Sequence, residues 1–174
     1  MGALAILGGA EVQPQLRGGG QERGRRAGSE NLPGIAGFAA AAEAATARIA
    51  DWRLVRRLRN GLEAAALTAV PQALVVGAGA ARLPNTTALA LPGVAAETQV
   101  IALDLDGVMV SAGAACSSGK VGPSHVLAAM GLPPEIAGST IRVSLGWMTT
   151  EDDIGHFLQA WTALARRLLA RAAA

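Results

Sequence analysis

Apolar and polar positions recur with two periods along this chain, and the change of period separates strand from helix. At 140–145 the run Thr-Ile-Arg-Val-Ser-Leu puts Ile141, Val143 and Leu145 on one face and Arg142 and Ser144 on the other. That is the alternation of a half-buried strand. Shorter β-type runs at 73–76 and 86–91 predict two more strands, and 107–111 predicts another that leads into the segment holding Cys116. The apolar run 3–7 reads as a short buried strand ended by Gly8-Gly9.

Helical spacing governs most of the remainder. Asn31 with Pro33 opens a long helix predicted to reach about Leu67. On its second half Leu54, Val55, Leu58 and Leu62 share a stripe, with Arg53, Arg56 and Arg57 on a solvated face. The segment 96–103 is predicted as helix, and Ser124 as the N-cap of a helix through 125–130. Thr150 caps a final helix with Glu151, Asp152 and Asp153 in its first turn. Its stripe is Ile154, Leu158, Trp161, Ala165 and Leu168, and Arg166, Arg167 and Arg171 favour its C-terminus. The stretch 17–31 is a glycine-punctuated polar loop. These elements predict an α/β chain: a compact unit from about residue 65, preceded by the long helix and an N-terminal strand and loop. No internal repeat is present.

Composition narrows the picture. The apolar fraction is 51% with only 3% aromatic, and alanine supplies much of it beside 22 glycines, so the core is expected to use closely approaching helices with small side chains. No apolar run reaches the roughly 18 to 20 residues needed to span a bilayer, and no signal peptide is visible; neither membrane insertion nor export is expected, and the cytoplasm is the expected compartment. All basic residues but Lys120 are arginine, interleaved with acids or spread along helix faces, and the formal net charge is +2. No basic patch carries stacking aromatics, so nucleic acid is not an expected partner.

Two residues carry candidate chemistry. Cys116, the sole cysteine, lies in Ser111-Ala-Gly-Ala-Ala-Cys-Ser-Ser-Gly-Lys120, among residues too small to pack a core. Lys120 and the helix N-terminus predicted at Ser124 both favour thiolate over thiol. The segment suits a reachable nucleophile, the other reading being a spectator thiol on a turn. With Cys116 and His125 as the only nearby ligands, no zinc site is expected. Arg142, on the strand face opposite the core, is placed either to clamp a carboxylate with its planar guanidinium or to form an internal salt bridge.

Three segments together resemble the C-terminal half of cysteine desulfurases, pyridoxal-phosphate enzymes of the aminotransferase class V superfamily. They are Gly18-Gly-Gly-Gln-Glu-Arg-Gly-Arg-Arg-Ala-Gly-Ser-Glu-Asn31, the Cys116 segment, and Thr140-Ile-Arg-Val-Ser-Leu-Gly146 followed by Thr149-Thr-Glu-Asp-Asp153. The Cys-Ser-Ser-Gly context is similar to the nitrogen-fixation and iron–sulfur-cluster branch of these enzymes. The resemblance implies the small C-terminal domain of a fold-type I transferase at 65–174, a linking helix at 33–64 and a remnant of the large domain at 1–32. It implies that Cys116 becomes a persulfide on reaction with L-cysteine, that Arg142 holds the substrate carboxylate, and that Ser29 bonds the cofactor phosphate of a partner subunit. It further implies a homodimer when complete and a sulfur-acceptor protein such as an iron–sulfur scaffold. Relatives carry their Schiff-base lysine, a phosphate-cradling Thr-His pair, a stacking histidine and a pyridine-binding aspartate upstream of the matching region. The chain is therefore expected to be a fragment that binds no cofactor alone. A non-enzymatic persulfide carrier or interaction domain, and an inactive truncated product, are the alternatives.

Overall fold

The computed structural model describes residues 2–113 and 124–172. The chain divides into two units, Met1–Ala50 and Asp51–Ala174.

The first unit holds a polar loop and one helix, α1 (Leu32–Ala47). Asn31 caps α1 by accepting a hydrogen bond from the Gly34 amide at 3.1 Å, as its Asn-Leu-Pro opening predicts. No residue of α1 is buried. The run 3–7 is not a strand: a strand needs a neighbour to satisfy its backbone, and none pairs with it among the described residues. Its side chains are largely exposed.

The helix expected to continue to about Leu67 is two. After α1, a 3-10 turn at Ile49–Asp51 precedes α2 (Trp52–Ala69). Near the break, the Thr46 hydroxyl donates to the Ala42 carbonyl at 2.8 Å, a competing bond that weakens a helix where it occurs. In α2 the buried stripe is Val55, Leu58, Arg59, Leu62 and Ala66. Leu54, expected on that stripe, is exposed, because its immediate neighbour Val55 takes the core-facing position.

The second unit is built on a four-stranded sheet in the order β1-β2-β4-β3, antiparallel throughout. Its strands are β1 (Leu74–Val76), β2 (Thr86–Ala90), β3 (Ser111–Ala112) and β4 (Thr140–Ser144). The helices α3 (Ala96–Leu105), α4 (His125–Ala129), α5 (Pro134–Gly138) and α6 (Glu151–Ala172) complete it. On one sheet face Leu89, Ile141 and Val143 join the α2 stripe, Leu103 of α3, and Phe157, Trp161, Leu164 and Ala165 of α6 in the main core. The other face carries a smaller cluster, Val76, Ala90 and Leu127, with Leu132, Ile136 and Ala137 against it.

β3 is shorter and later than expected. Gly107, at φ +76°, closes α3, and the Val108 amide returns to the Leu103 carbonyl at 2.8 Å. Residues 107–110 therefore complete the helix terminus before the chain can pair with β4.

Candidate functional site

The alternation read at 140–145 fixes the surroundings of Arg142. Ile141, Val143 and Leu145 are buried, whereas Arg142 and Ser144 are exposed on the opposite face. In the sheet register Arg142 lies opposite Ala88 on β2 and opposite Ser111 on β3. Its strand is central, hydrogen-bonded on both sides, so its backbone is held in place. Among the described residues Arg142 makes no hydrogen bond and no ion pair, which leaves the internal salt bridge without a partner there.

Other arginines behave differently. Arg82 grips Glu63 with two parallel bonds, Nη1 to Oε1 at 2.7 Å and Nη2 to Oε2 at 3.1 Å. Arg59, buried within α2, donates to the Leu83 carbonyl at 2.9 Å and to Asn60 Oδ1, with Nε 3.8 Å from Glu63. Burial alone would raise the Glu63 pKa. The hydrogen bond from Arg82, the influence of the neighbouring Thr87 hydroxyl, and the charges of Arg82 and Arg59 outweigh it, so the carboxyl sits below its ordinary range. Thr87 Oγ1, buried, makes no hydrogen bond of close geometry, so the Arg82 pair is the dominant stabilising contact. This cluster pins the loop between β1 and β2 to α2 and so fixes the entry of β2, the strand beside Arg142. The i,i+4 spacing of Arg59 and Glu63 was its only sequence signal.

A second polar anchor supports β4. Trp161 Nε1 donates to Gln99 Oε1 at 3.0 Å, and Gln99 Nε2 donates to the carbonyls of Val94 at 3.1 Å and Ser139 at 2.8 Å. Gln99 and Trp161 are both fully buried. They tie α3 and α6 to the residue immediately before β4.

At the cysteine segment, β3 presents Ser111 beside Arg142, and the described chain stops at Gly113. Cys116 and Lys120 lie outside the described residues. Beyond them Ser124 caps α4, its hydroxyl accepting from the Leu127 amide at 3.4 Å.

In the first unit Ser29 is exposed, and its carbonyl accepts from Arg26 Nη1 at 3.2 Å. The same guanidinium holds the Gly28 carbonyl at 2.8 Å. Gly28, at φ +94°, supplies a backbone turn that a side chain would strain. The Ser29 hydroxyl is suited to a phosphate, but no lysine lies among the described residues to form a Schiff base. These residues alone do not make a pyridoxal-phosphate site, and no reaction step through that cofactor follows from them. No group of three or more metal-ligating side chains occurs among the described residues, nor does any helix there have the length and apolarity to cross a membrane.

The family profile described as Aminotransferase class-V matches residues 4–157. The chain belongs to that family. A curated cysteine desulfurase of Cereibacter sphaeroides is 44% identical over 98% of this class V chain and 43% of its own length. One from Klebsiella pneumoniae is 40% identical over the same shares. Among solved structures, the NifS-like protein from Rickettsia africae aligns with a TM-score of 0.77 at 36% identity, covering 89% of this chain and 40% of its own. A second NifS-like protein gives 0.80 at 32% identity, over 94% and 41%. The class V chain thus spans about 43% of the length of the curated relatives it matches. The α/β architecture expected from the sequence is the one these neighbours share.

Proposed function

We propose that this chain is the thiol-bearing portion of a cysteine desulfurase. L-cysteine and the Cys116 thiol give L-alanine and a Cys116 persulfide; the atoms balance without an added oxidant or reductant. The Cys116 thiolate attacks the substrate sulfur, in a displacement related to thiol–disulfide exchange. Arg142 holds the substrate carboxylate, and Ser29 meets the phosphate of pyridoxal phosphate bound in a partner subunit. Residues 1–32 belong to the cofactor-binding domain, 33–64 to the link between domains and 65–174 to the small domain. The remaining cofactor ligands come from outside this sequence. The complete protein is a cytoplasmic homodimer that passes its sulfur to an acceptor protein, such as an iron–sulfur scaffold.

The observation that carries this reading is Arg142 itself. It is a guanidinium on a central strand with no counter-ion among the described residues, opposite Ser111, which precedes Cys116 by five residues. The names of the curated relatives point the same way. The test is mass spectrometry of the complete protein after exposure to L-cysteine. One added sulfur atom, removable by reductant and localised to the Cys116 peptide, is expected; an unmodified Cys116 in a protein that releases sulfur would overturn the assignment.

A further inference from the structure

We infer that the strand position opposite Arg142, filled here by Ser111, must carry an uncharged side chain, so that Arg142 is left free of an internal counter-ion. The inference rests on the proposed reading of Arg142 as the carboxylate clamp. On the sheet face that carries Arg142, the neighbouring positions of β2, β3 and β4 are Thr86, Ala88, Ala90, Ser111, Thr140 and Ser144. None is acidic. Among the described residues, the arginines of this unit held by an ion pair, Arg59 and Arg82, both have Glu63 within 4 Å, so the neutrality of this face distinguishes Arg142 from them.

Packing does not require a small polar residue at 111. Ala88, the neighbour on the other side, packs against the cluster of Val76, Ala90 and Leu127, which accounts for its size. Ser111 belongs to neither apolar cluster, is half-buried on a two-residue strand, and makes no side-chain hydrogen bond among the described residues. Directly opposed residues on an antiparallel pair have Cβ atoms about 4.5 to 5.5 Å apart, and opposite charges there attract. An acid at 111 would therefore capture the guanidinium and compete with the substrate carboxylate for the same two-pronged bond.

The experiment compares S111D with its near-isosteric neutral control S111N in the complete, cofactor-loaded protein. S111E with S111Q serves as a second pair should S111D not fold. The readouts are KM and kcat for L-cysteine and the calorimetric Kd of the product L-alanine. S111D is expected to raise KM and the L-alanine Kd by about tenfold or more, with a smaller effect on kcat. S111N should stay within about threefold of the parent, as expected for a change that adds no charge. Combined with R142A, S111D should add little, since the guanidinium it captures is already gone. Equal effects of the acidic and neutral variants, or full additivity with R142A, would overturn the inference. If R142A raises KM but S111D does not, the clamp stands and the requirement at position 111 falls; if R142A leaves KM unchanged, both fall.

Discussion

Ser111 and Arg142 stand directly opposite one another across the β3–β4 ladder. This pairing ties the candidate carboxylate site to the segment bearing the candidate nucleophile. β3 is an edge strand of two residues, while β4 is paired on both sides. The rigid partner carries the arginine and the short one leads, four residues beyond Ala112, to Cys116.

The first prediction concerns the arginine. In the complete protein Arg142→Ala should weaken L-cysteine binding by about 1.5 to 3 kcal/mol, the range for losing hydrogen bonds to a charged group. Arg142→Lys should recover only part, because an ammonium cannot reproduce two parallel bonds. Steady-state kinetics with both variants check this; an unchanged KM in Arg142→Ala would remove Arg142 from the substrate site.

The second concerns pH. The Glu63 carboxyl ionises below its ordinary value of 4.5, so its folded pKa is depressed relative to the unfolded chain. Its stabilising contribution is then fully present above about pH 4.5 and disappears as pH falls through the lower, folded pKa. Glu63→Gln should cost about 1 to 3 kcal/mol at neutral pH, since Arg82 loses its charged partner. The gap from the parent should close in acid. Urea unfolding from pH 7 to pH 3 measures it, and a gap independent of pH would show that the Arg82–Glu63 pair contributes through packing alone.

The third tests the anchor behind β4. Trp161→Phe removes the donor to Gln99 Oε1 in a fully buried setting and should destabilise the fold by about 1 to 3 kcal/mol. Gln99→Leu should cost more, because it also strips the donor from the Val94 and Ser139 carbonyls. Chemical unfolding of both variants decides; a loss for Gln99→Leu smaller than that for Trp161→Phe would contradict the network.

Much of this was legible in the sequence where local patterning and tertiary burial agree. The alternation at 140–145 gave the burial of Ile141 and Val143 and the exposure of Arg142, because one face of that strand packs on a single core. The caps at Asn31, Ser124 and Thr150 were legible because capping is a contact within one turn; Thr150 Oγ1 accepts from the Asp153 amide at 3.2 Å, and the Asp153 carboxylate answers at 2.8 Å from the Thr150 amide. What escaped depends on distant partners. The run 3–7 has the composition of a strand but nothing described beside it to pair with. The break at Ile49–Asp51 lies in a stretch whose residues all tolerate helix. The short helix α5 opens on the second proline of a Pro-Pro step and is too short to carry a readable periodicity. Gln99 looks like an ordinary polar helix residue until Trp161, 62 positions away, arrives beside it.

The last prediction separates the two halves of the proposed site. Sulfur transfer needs a nucleophile that attacks sulfur and then holds it, which a thiolate does and an alcohol does not. Cys116→Ser in the complete protein should therefore abolish sulfur release from L-cysteine. It should leave the visible absorbance of bound cofactor and the Kd of L-alanine unchanged, since neither depends on the thiol. Arg142→Ala should do the converse to the alanine Kd, weakening it while the thiol persists. Measuring sulfide release, cofactor absorbance and alanine binding on the same two variants distinguishes a nucleophile from a structural residue. A Cys116→Ser protein that still releases sulfur at the parent rate would show that the transferring group lies elsewhere; one that also loses alanine binding would make Cys116 a structural part of the site.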